Sequence, residues 1–277
     1  MQTDPETNPS NEGLKPGTSG KFSGDKSRFA TILNRSILIS HKHKCIFIHI
    51  PKTAGMSIES AFLDSLGLKF VGGQAPSLLL SYNNNAKVGP PSLAHLTPGE
   101  YVDHSYVSQE LFDSYFKFAF VRNPWERAVS FYKHFNFHRV MSFNDFLQYE
   151  FPLIKKERGY FIQPQVDYIF NKNGDQLVDF IGRFEQLESD FEYVRSHVAI
   201  GLSKLSHVNK SHQRQNVYSR WNLRYIYNFL KQRPSRLRTF TPFFNTGRDY
   251  RELYSDRSRQ IVESYYKDDI ATFNYSF

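Results

Sequence analysis

Two short apolar runs punctuate the chain, and each is cut off by polar residues and a proline. Cys45-Ile46-Phe47-Ile48-His49-Ile50 runs into Pro51-Lys52-Thr53-Ala54-Gly55-Met56-Ser57. Phe116-Lys117-Phe118-Ala119-Phe120-Val121 runs into Arg122-Asn123-Pro124-Trp125. Apolar runs of this length between turn signals predict buried strands, here Lys44–Ile50 and Phe116–Val121. A helix is expected from Gly55 to Leu66, with Ile58, Ala61, Phe62 and Leu66 on one face and Gly67 as its stop. After the second strand, Asn123 is placed as N-cap and Pro124 as the first helical residue, with the helix reaching Phe135. A further helix is expected near Ser142, with Asp145 in its first turn. Asp179–Phe184 reads as a third buried strand, and helices are expected at Glu188–His197 and Asp256–Ile270. Residues 71–100, rich in Gly, Pro, Ser and Asn, predict an irregular loop. Residues 1–27 carry almost no aliphatic side chains and are expected to form a disordered arm. An apolar lead-in from Phe29 to Ser40 then opens a single domain over residues 28–277. Strands alternating with helices predict an α/β fold with a mainly parallel sheet covered on both faces. Both proline-ended junctions then lie at carboxyl ends of strands, where such sheets bind ligands.

Composition narrows the class. The one cysteine, Cys45, excludes an intrachain disulfide and reads as a small core residue. No apolar stretch reaches the ~20 residues of a membrane span, and no secretory signal pattern is apparent, so the expectation is a soluble, cytoplasmic protein. The net charge of +8 is concentrated: residues 201–248 hold ten Lys or Arg and no Asp or Glu. Such a segment implies an anionic partner or a solvated basic loop.

The first junction suits a phosphate. Backbone N–H groups at a helix N-terminus face an anion, Lys52 adds a point charge, and Thr53 and Ser57 offer hydroxyls. The usual triphosphate loop, G-x-x-x-x-G-K-[ST], has a first glycine that this turn lacks, and no acidic residue is obviously placed for Mg²⁺, which weakens a kinase reading. At the second junction, Arg122 and Ser130 suit a dianionic phosphate. The competing structural reading pairs Arg122 with Glu126. Arg127 is expected at the surface or in an ion pair, and Trp125 and Phe131 in the core. Two anion-ready junctions suggest one ligand with two separated phosphates.

Ile50 to Ser57 resembles the 5′-phosphosulfate loop of the sulfotransferases, and Arg122 to Tyr132 resembles their 3′-phosphate motif. Ala94-His95-Leu96-Thr97, Asp179 to Glu185, His207 to Ser211 and Tyr266 to Phe273 extend the likeness from Lys44 to the end. It is nearest to the carbohydrate-modifying branch, with its heparan sulfate 2-O- and chondroitin sulfotransferases. The resemblance implies a P-loop-like three-layer fold and in-line sulfuryl transfer, without a metal, from 3′-phosphoadenosine-5′-phosphosulfate to a carbohydrate hydroxyl. It implies donor binding by Lys52, Thr53, Ala54, Gly55, Met56, Ser57, Arg122, Ser130, Asn209, Lys210 and Ser211. It also implies that Lys52 stabilises leaving-group charge, and His95 aligns with the histidine these enzymes carry before the second motif, which makes it the expected base. His104, His134 and His138 have weaker claims, and His49 is expected to pack. Met56 and Ser57 depart from the usual pair of small or hydroxyl residues. The stretch 212–245 is longer than in bacterial relatives. Its Tyr218, Trp221, Tyr225, Tyr227 and Phe229 among arginines suit sugar rings bearing carboxylates or sulfates and also single-stranded nucleic acid, or form a helix packed by its aromatics with its arginines in water. Of the partners, a carbohydrate acceptor is expected and nucleic acid is not. A phosphate-loop kinase and a non-catalytic polyanion-binding relative are the alternatives.

Overall fold

Phe118 shows how the sheet is held. Its ring stacks on Phe47 of the neighbouring strand (5.1 Å) and on Phe62 of the helix above (5.9 Å). The computed structural model describes residues 38–67, 83–199, 205, 220–240 and 249–277. The arm expected over 1–27, the Asn209-Lys210-Ser211 segment and part of the 212–245 stretch lie outside them. Among the described residues, β1 (Ile39–Ser40), β2 (Cys45–Ile48), β3 (Phe116–Val121) and β4 (Phe180–Arg183) form a sheet in the order β1-β2-β3-β4. β1 runs antiparallel to β2; β2, β3 and β4 are parallel, with Phe47 opposite Phe118 and Phe118 opposite Phe180. The fold is α/β with a mainly parallel sheet and flanking helices, as expected.

The junction helices form where the sequence places them. α1 (Gly55–Ser65) buries Ile58, Ala61 and Phe62, and Gly67 follows it at φ 69°. Leu66, expected on the buried face, is exposed because the helix ends one residue earlier. α2 (Pro98–Asp103) and α3 (Gln109–Ser114) fall in a region too short in periodicity to announce them; Thr97 and Glu100 close a capping box on α2. α4 (Pro124–His134) starts as predicted: Oδ1 of Asn123 accepts from the N–H groups of Trp125 and Glu126. α5 (Phe143–Asp145) opens under a Ser142 cap, continues as a π-helical stretch Phe146–Glu150, and passes into α6 (Phe151–Ile162), which is broken at Arg158. α7 (Leu187–His197), α8 (Arg220–Gln232), α9 (Asp256–Tyr265) and α10 (Lys267–Thr272) complete the described helices. The single helix expected over Asp256–Ile270 is thus divided at Tyr266.

Two strand expectations change. β2 stops at Ile48 because the N–H of Ile50 turns back to the carbonyl of Ile48 (3.1 Å), a tight turn centred on His49. β4 is only half-buried, since it ends the strand order. Its Gly182 is required by contact: a Cβ there would lie 2.5 Å from the Phe120 ring. One apolar cluster joins the strands to α1, α2 and α7; a second joins α4 to the π-helical stretch, α6, α8 and α9. Cys45 lies in the first, where burial pushes its thiol up to about 12.

Candidate active site

The loop between β2 and α1 is bent by two non-glycine residues at positive φ, Lys52 (70°) and Ala54 (74°). Each costs on the order of 1 kcal/mol relative to ordinary backbone, so the strain is concentrated at the turn that carries the lysine. Thr53 is wholly buried and its hydroxyl donates to the carbonyl of Ile50 at 2.9 Å. That hydroxyl braces the turn from inside, which leaves the backbone as the part of Thr53 that a ligand would meet. The N–H of Ser57 donates to the carbonyl of Ala54 at 2.9 Å, closing the first turn of α1. Met56 is exposed and Ser57 half-buried on the same turn.

The second junction is clamped from three directions. Gln165 is fully buried and bonds the backbone of Arg122 twice: its Oε1 accepts from the N–H and its Nε2 donates to the carbonyl, both at 2.9 Å. Glu185 accepts from the N–H of Asn123 at 2.7 Å. Asp269, buried on α10, accepts from the N–H of Val166 at 2.9 Å and so steadies the segment that carries Gln165. The segments 179–185 and 266–273 therefore act as supports for this junction. The guanidinium of Arg122 lies over the Phe184 ring, 3.9 Å from its centre.

The two junctions converge. Nη1 of Arg122 donates to the carbonyl of Lys52 at 3.2 Å, and Nη2 pairs with Glu126 at 2.8 Å. The structural ion pair with Glu126 and the approach to the loop thus coexist. Nε of Arg122 is buried and has no hydrogen-bond partner among the described residues. Arg127 corrects the expectation of a surface residue: it is fully buried, with Nε donating to the carbonyl of Pro51 (2.9 Å) and Nη1 to that of Gln163 (3.1 Å). It ties the loop to α4 and to the end of α6.

Three side chains surround Lys52 and its approach. Nζ of Lys52 lies 3.4 Å from Nδ1 of His134, which sits one turn after Ser130 and so shares its helix face. The His134 ring stacks on Phe161 (5.3 Å), and the His95 ring meets the same Phe161 edge-on (5.3 Å). Phe161 follows the break at Arg158, which separates the last turn of α6 from the preceding helix. Nδ1 of His95 donates to the carbonyl of His49 at 3.0 Å.

Electrostatics follow from this crowding. Burial, and then the Arg122 charge, pull Lys52 down to about 8. Burial holds His95 well below the usual histidine value; His49, Arg127 and Lys52 push the same way, against the hydrogen bond to His49. His134 is exposed at one edge, yet desolvation and Lys52 lower it to about 4. Near pH 7 the site therefore presents neutral imidazoles beside Lys52, Arg122 and Arg127, with Glu126 as the near countercharge.

A sulfotransferase family model matches residues 35–276, which spans both junctions and every support described above. The chain belongs to the sulfotransferase family. An uncharacterized protein of Archaeoglobus fulgidus is 32% identical to this sulfotransferase over 97 residues, 34% of this chain and 76% of that protein. Lys52 lies in the loop after β2, His95 at the end of a short 3-10 turn (Leu93–His95) where the sequence predicts an irregular loop, Arg122 directly after β3, and Ser130 on α4. The structure brings His134 beside Lys52, a proximity that the Ser130–His134 spacing could have suggested. Sequence reasoning missed Phe161 and the burial of Arg127, whose partners are distant in sequence. Among the described residues, no group of three or more His, Cys, Asp or Glu could hold a metal, and no helix is long and apolar enough to cross a membrane.

Proposed function

We propose that this sulfotransferase moves a sulfuryl group from 3′-phosphoadenosine-5′-phosphosulfate to a hydroxyl of a carbohydrate acceptor. The observation that carries the reading is the 3.2 Å contact of Arg122 with the Lys52 carbonyl, which joins two anion-ready junctions in one site. The residues fit a doubly phosphorylated ligand. Lys52, Arg122 and Arg127 outweigh Glu126, and the buried Nε of Arg122 awaits an acceptor. Loop residues Lys52, Thr53, Ala54, Gly55, Met56 and Ser57 would hold the 5′ end, and Arg122 and Ser130 the 3′ phosphate. Asn209, Lys210 and Ser211, outside the described residues, are carried as further donor contacts on resemblance alone.

The bound donor supplies the sulfuryl group and a phosphate leaving group. Lys52 stabilises the charge that gathers on the leaving oxygen as the S–O bond to phosphate breaks. His95 takes the proton of the acceptor hydroxyl as its oxygen bonds to sulfur. The hydrogen bond from Nδ1 to the His49 carbonyl leaves the Nε2 lone pair as the accepting atom. Neutral imidazole at the working pH suits that task.

The carbohydrate assignment rests on likeness to the carbohydrate-modifying branch and on the arginines and tyrosines of α8 and its surroundings. Calorimetric titration with 3′-phosphoadenosine-5′-phosphate in the presence of chelator tests the donor. Micromolar binding supports the reading, and Mg²⁺-dependent ATP binding in its place would restore the kinase alternative. A glycan panel with labelled donor tests the acceptor; transfer only to small non-sugar alcohols would overturn the carbohydrate assignment.

A further inference from the structure

His49 and Glu59 form a buried pair that the transfer chemistry leaves unused. Nδ1 of His49 lies 2.7 Å from Oε1 of Glu59, and both side chains are almost fully covered. The contact is bent away from hydrogen-bond direction, and among the described residues neither Glu59 oxygen has a hydrogen-bond donor. Tyr101 adds a third buried polar group nearby; burial and the Glu59 charge both oppose ionisation of its hydroxyl. An apolar trio would fill this space at lower electrostatic cost.

Three parts of the site meet at His49. Its ring fills the space beside Gly55 so closely that a Cβ there would lie 1.8 Å from Nε2. The ring stacks on Phe47 (5.4 Å) and meets the His95 ring edge-on (4.6 Å). Its carbonyl accepts from Nδ1 of His95. That carbonyl lies outside the sheet, because β2 ends at Ile48 and the chain turns at His49. Among the described residues no strand pairing aims it, so its aim rests on the Ile48–Ile50 turn and on the packing of the His49 side chain beside that turn.

We propose that His49 and Glu59 are positioning residues for the base. Glu59, at the start of the second turn of α1, anchors the His49 ring. The anchored ring fixes the turn, and the turn points the His49 carbonyl at Nδ1 of His95. The pair thereby holds His95 as the Nδ1–H tautomer, with Nε2 as the proton acceptor. This deepens the proposed reaction and rests on its choice of base, but it holds for any acceptor hydroxyl.

Long-range ¹H–¹⁵N spectra of the full chain read the tautomer directly, with the His95 signal assigned by its loss in His95→Gln. The wild type is expected to show Nδ1–H alone. The paired change His49→Phe with Glu59→Met replaces both polar groups by somewhat larger apolar ones, and the milder Glu59→Gln removes the carboxylate charge at nearly the same shape. Glu59→Gln should bind 3′-phosphoadenosine-5′-phosphate within about threefold of wild type, since Glu59 is none of the proposed donor contacts. A thermal melt checks that the paired variant, whose new ring packs against Gly55, is folded. The paired variant should give a mixture of His95 tautomers, and Glu59→Gln a smaller admixture. A wild-type His95 protonated on Nε2, or an unchanged tautomer in both variants, overturns the proposal. Failure of the wild type to bind 3′-phosphoadenosine-5′-phosphate would count against the donor site instead, because the tautomer is read without ligand.

Discussion

Arg122 reaches across 70 residues of sequence to donate to the main-chain carbonyl of Lys52. The contact uses the lysine backbone and leaves its ammonium free to lean towards His134. Two cations are thereby held near each other, and Glu126 pairs with the Arg122 one. Their mutual repulsion is part of what lowers Lys52 to about 8. An arriving polyanion would relieve it.

Replacing Lys52 by Ala removes that charge at the leaving oxygen. Transfer is expected to fall on the order of 10²–10³-fold, the range seen for loss of a preorganised stabilising group. The fold should persist, because the turn is held by the Thr53 hydroxyl and by backbone hydrogen bonds that do not use the lysine side chain. Turnover with labelled donor and a thermal melt check both halves; activity retained within a few-fold removes Lys52 from the mechanism.

The lowered Lys52 value predicts the pH dependence of donor binding. Anion binding raises the lysine pKa, so binding above pH 8 takes up a proton and weakens as pH rises. Affinity for 3′-phosphoadenosine-5′-phosphate should be level below pH 8 and fall by up to about tenfold per unit above it. Lys52→Arg, which keeps its charge, should flatten the profile. Calorimetry in buffers of different ionisation enthalpy reports the proton directly.

His95 leads to a different profile. Its folded pKa is lowered, so the base stays deprotonated as pH falls through the ordinary histidine range. The rate should hold between pH 7 and 6 and drop only at lower pH. His95→Ala should cut turnover while leaving donor affinity nearly unchanged. A rate that halves near the ordinary histidine value, or an unaffected rate in the variant, would move the base to another group.

Much of this site was visible in sequence because its parts are local. A strand-length apolar run ended by Pro51, and Asn123-Pro124 after another, place two strand–helix junctions without knowledge of the rest. What stayed hidden depends on distant partners. Arg127 reads as a charged helix residue, yet carbonyls of Pro51 and Gln163 satisfy it in the interior. His49 reads as one more strand residue, and only the turn at Ile48–Ile50 and Glu59 on α1 give it another place. α2 and α3 are one to two turns long, too short for periodicity to distinguish from loop. Phe161 comes to the site after a helix break that no proline marks.

Gly55 and Ala54 are neighbours with opposite expectations. Ala54 occupies left-handed backbone, so Ala54→Gly relieves strain while loosening the unfolded chain, and a small net effect is expected. Gly55→Ala drives a Cβ into the His49 ring. The cost should be about 1–3 kcal/mol or more, as for other overpacked sites. Thermal unfolding of the two variants should separate them clearly; equal melting points would mean that the His49 ring moves aside freely.

The basic stretch is fastened to the core by a buried carboxylate. Glu150 ends the π-helical stretch with its side chain almost fully covered, and it meets Nε of Arg236 at 2.9 Å and Nε of Arg233 at 3.3 Å. Two guanidinium groups share one charge, so the cluster keeps an excess positive charge while docking the end of α8. Glu150→Gln removes the shared charge but keeps an amide oxygen for one arginine, and both arginines reach solvent. It should therefore destabilise the fold by about 1–3 kcal/mol, the range for weakening hydrogen bonds to a charged group. Arg233→Gln removes only the longer contact and should cost less than Glu150→Gln. Denaturant unfolding gives both values. If the order reverses, the cation–π contact of Arg233 with Phe229 (5.5 Å), and not the carboxylate, holds this segment to the core.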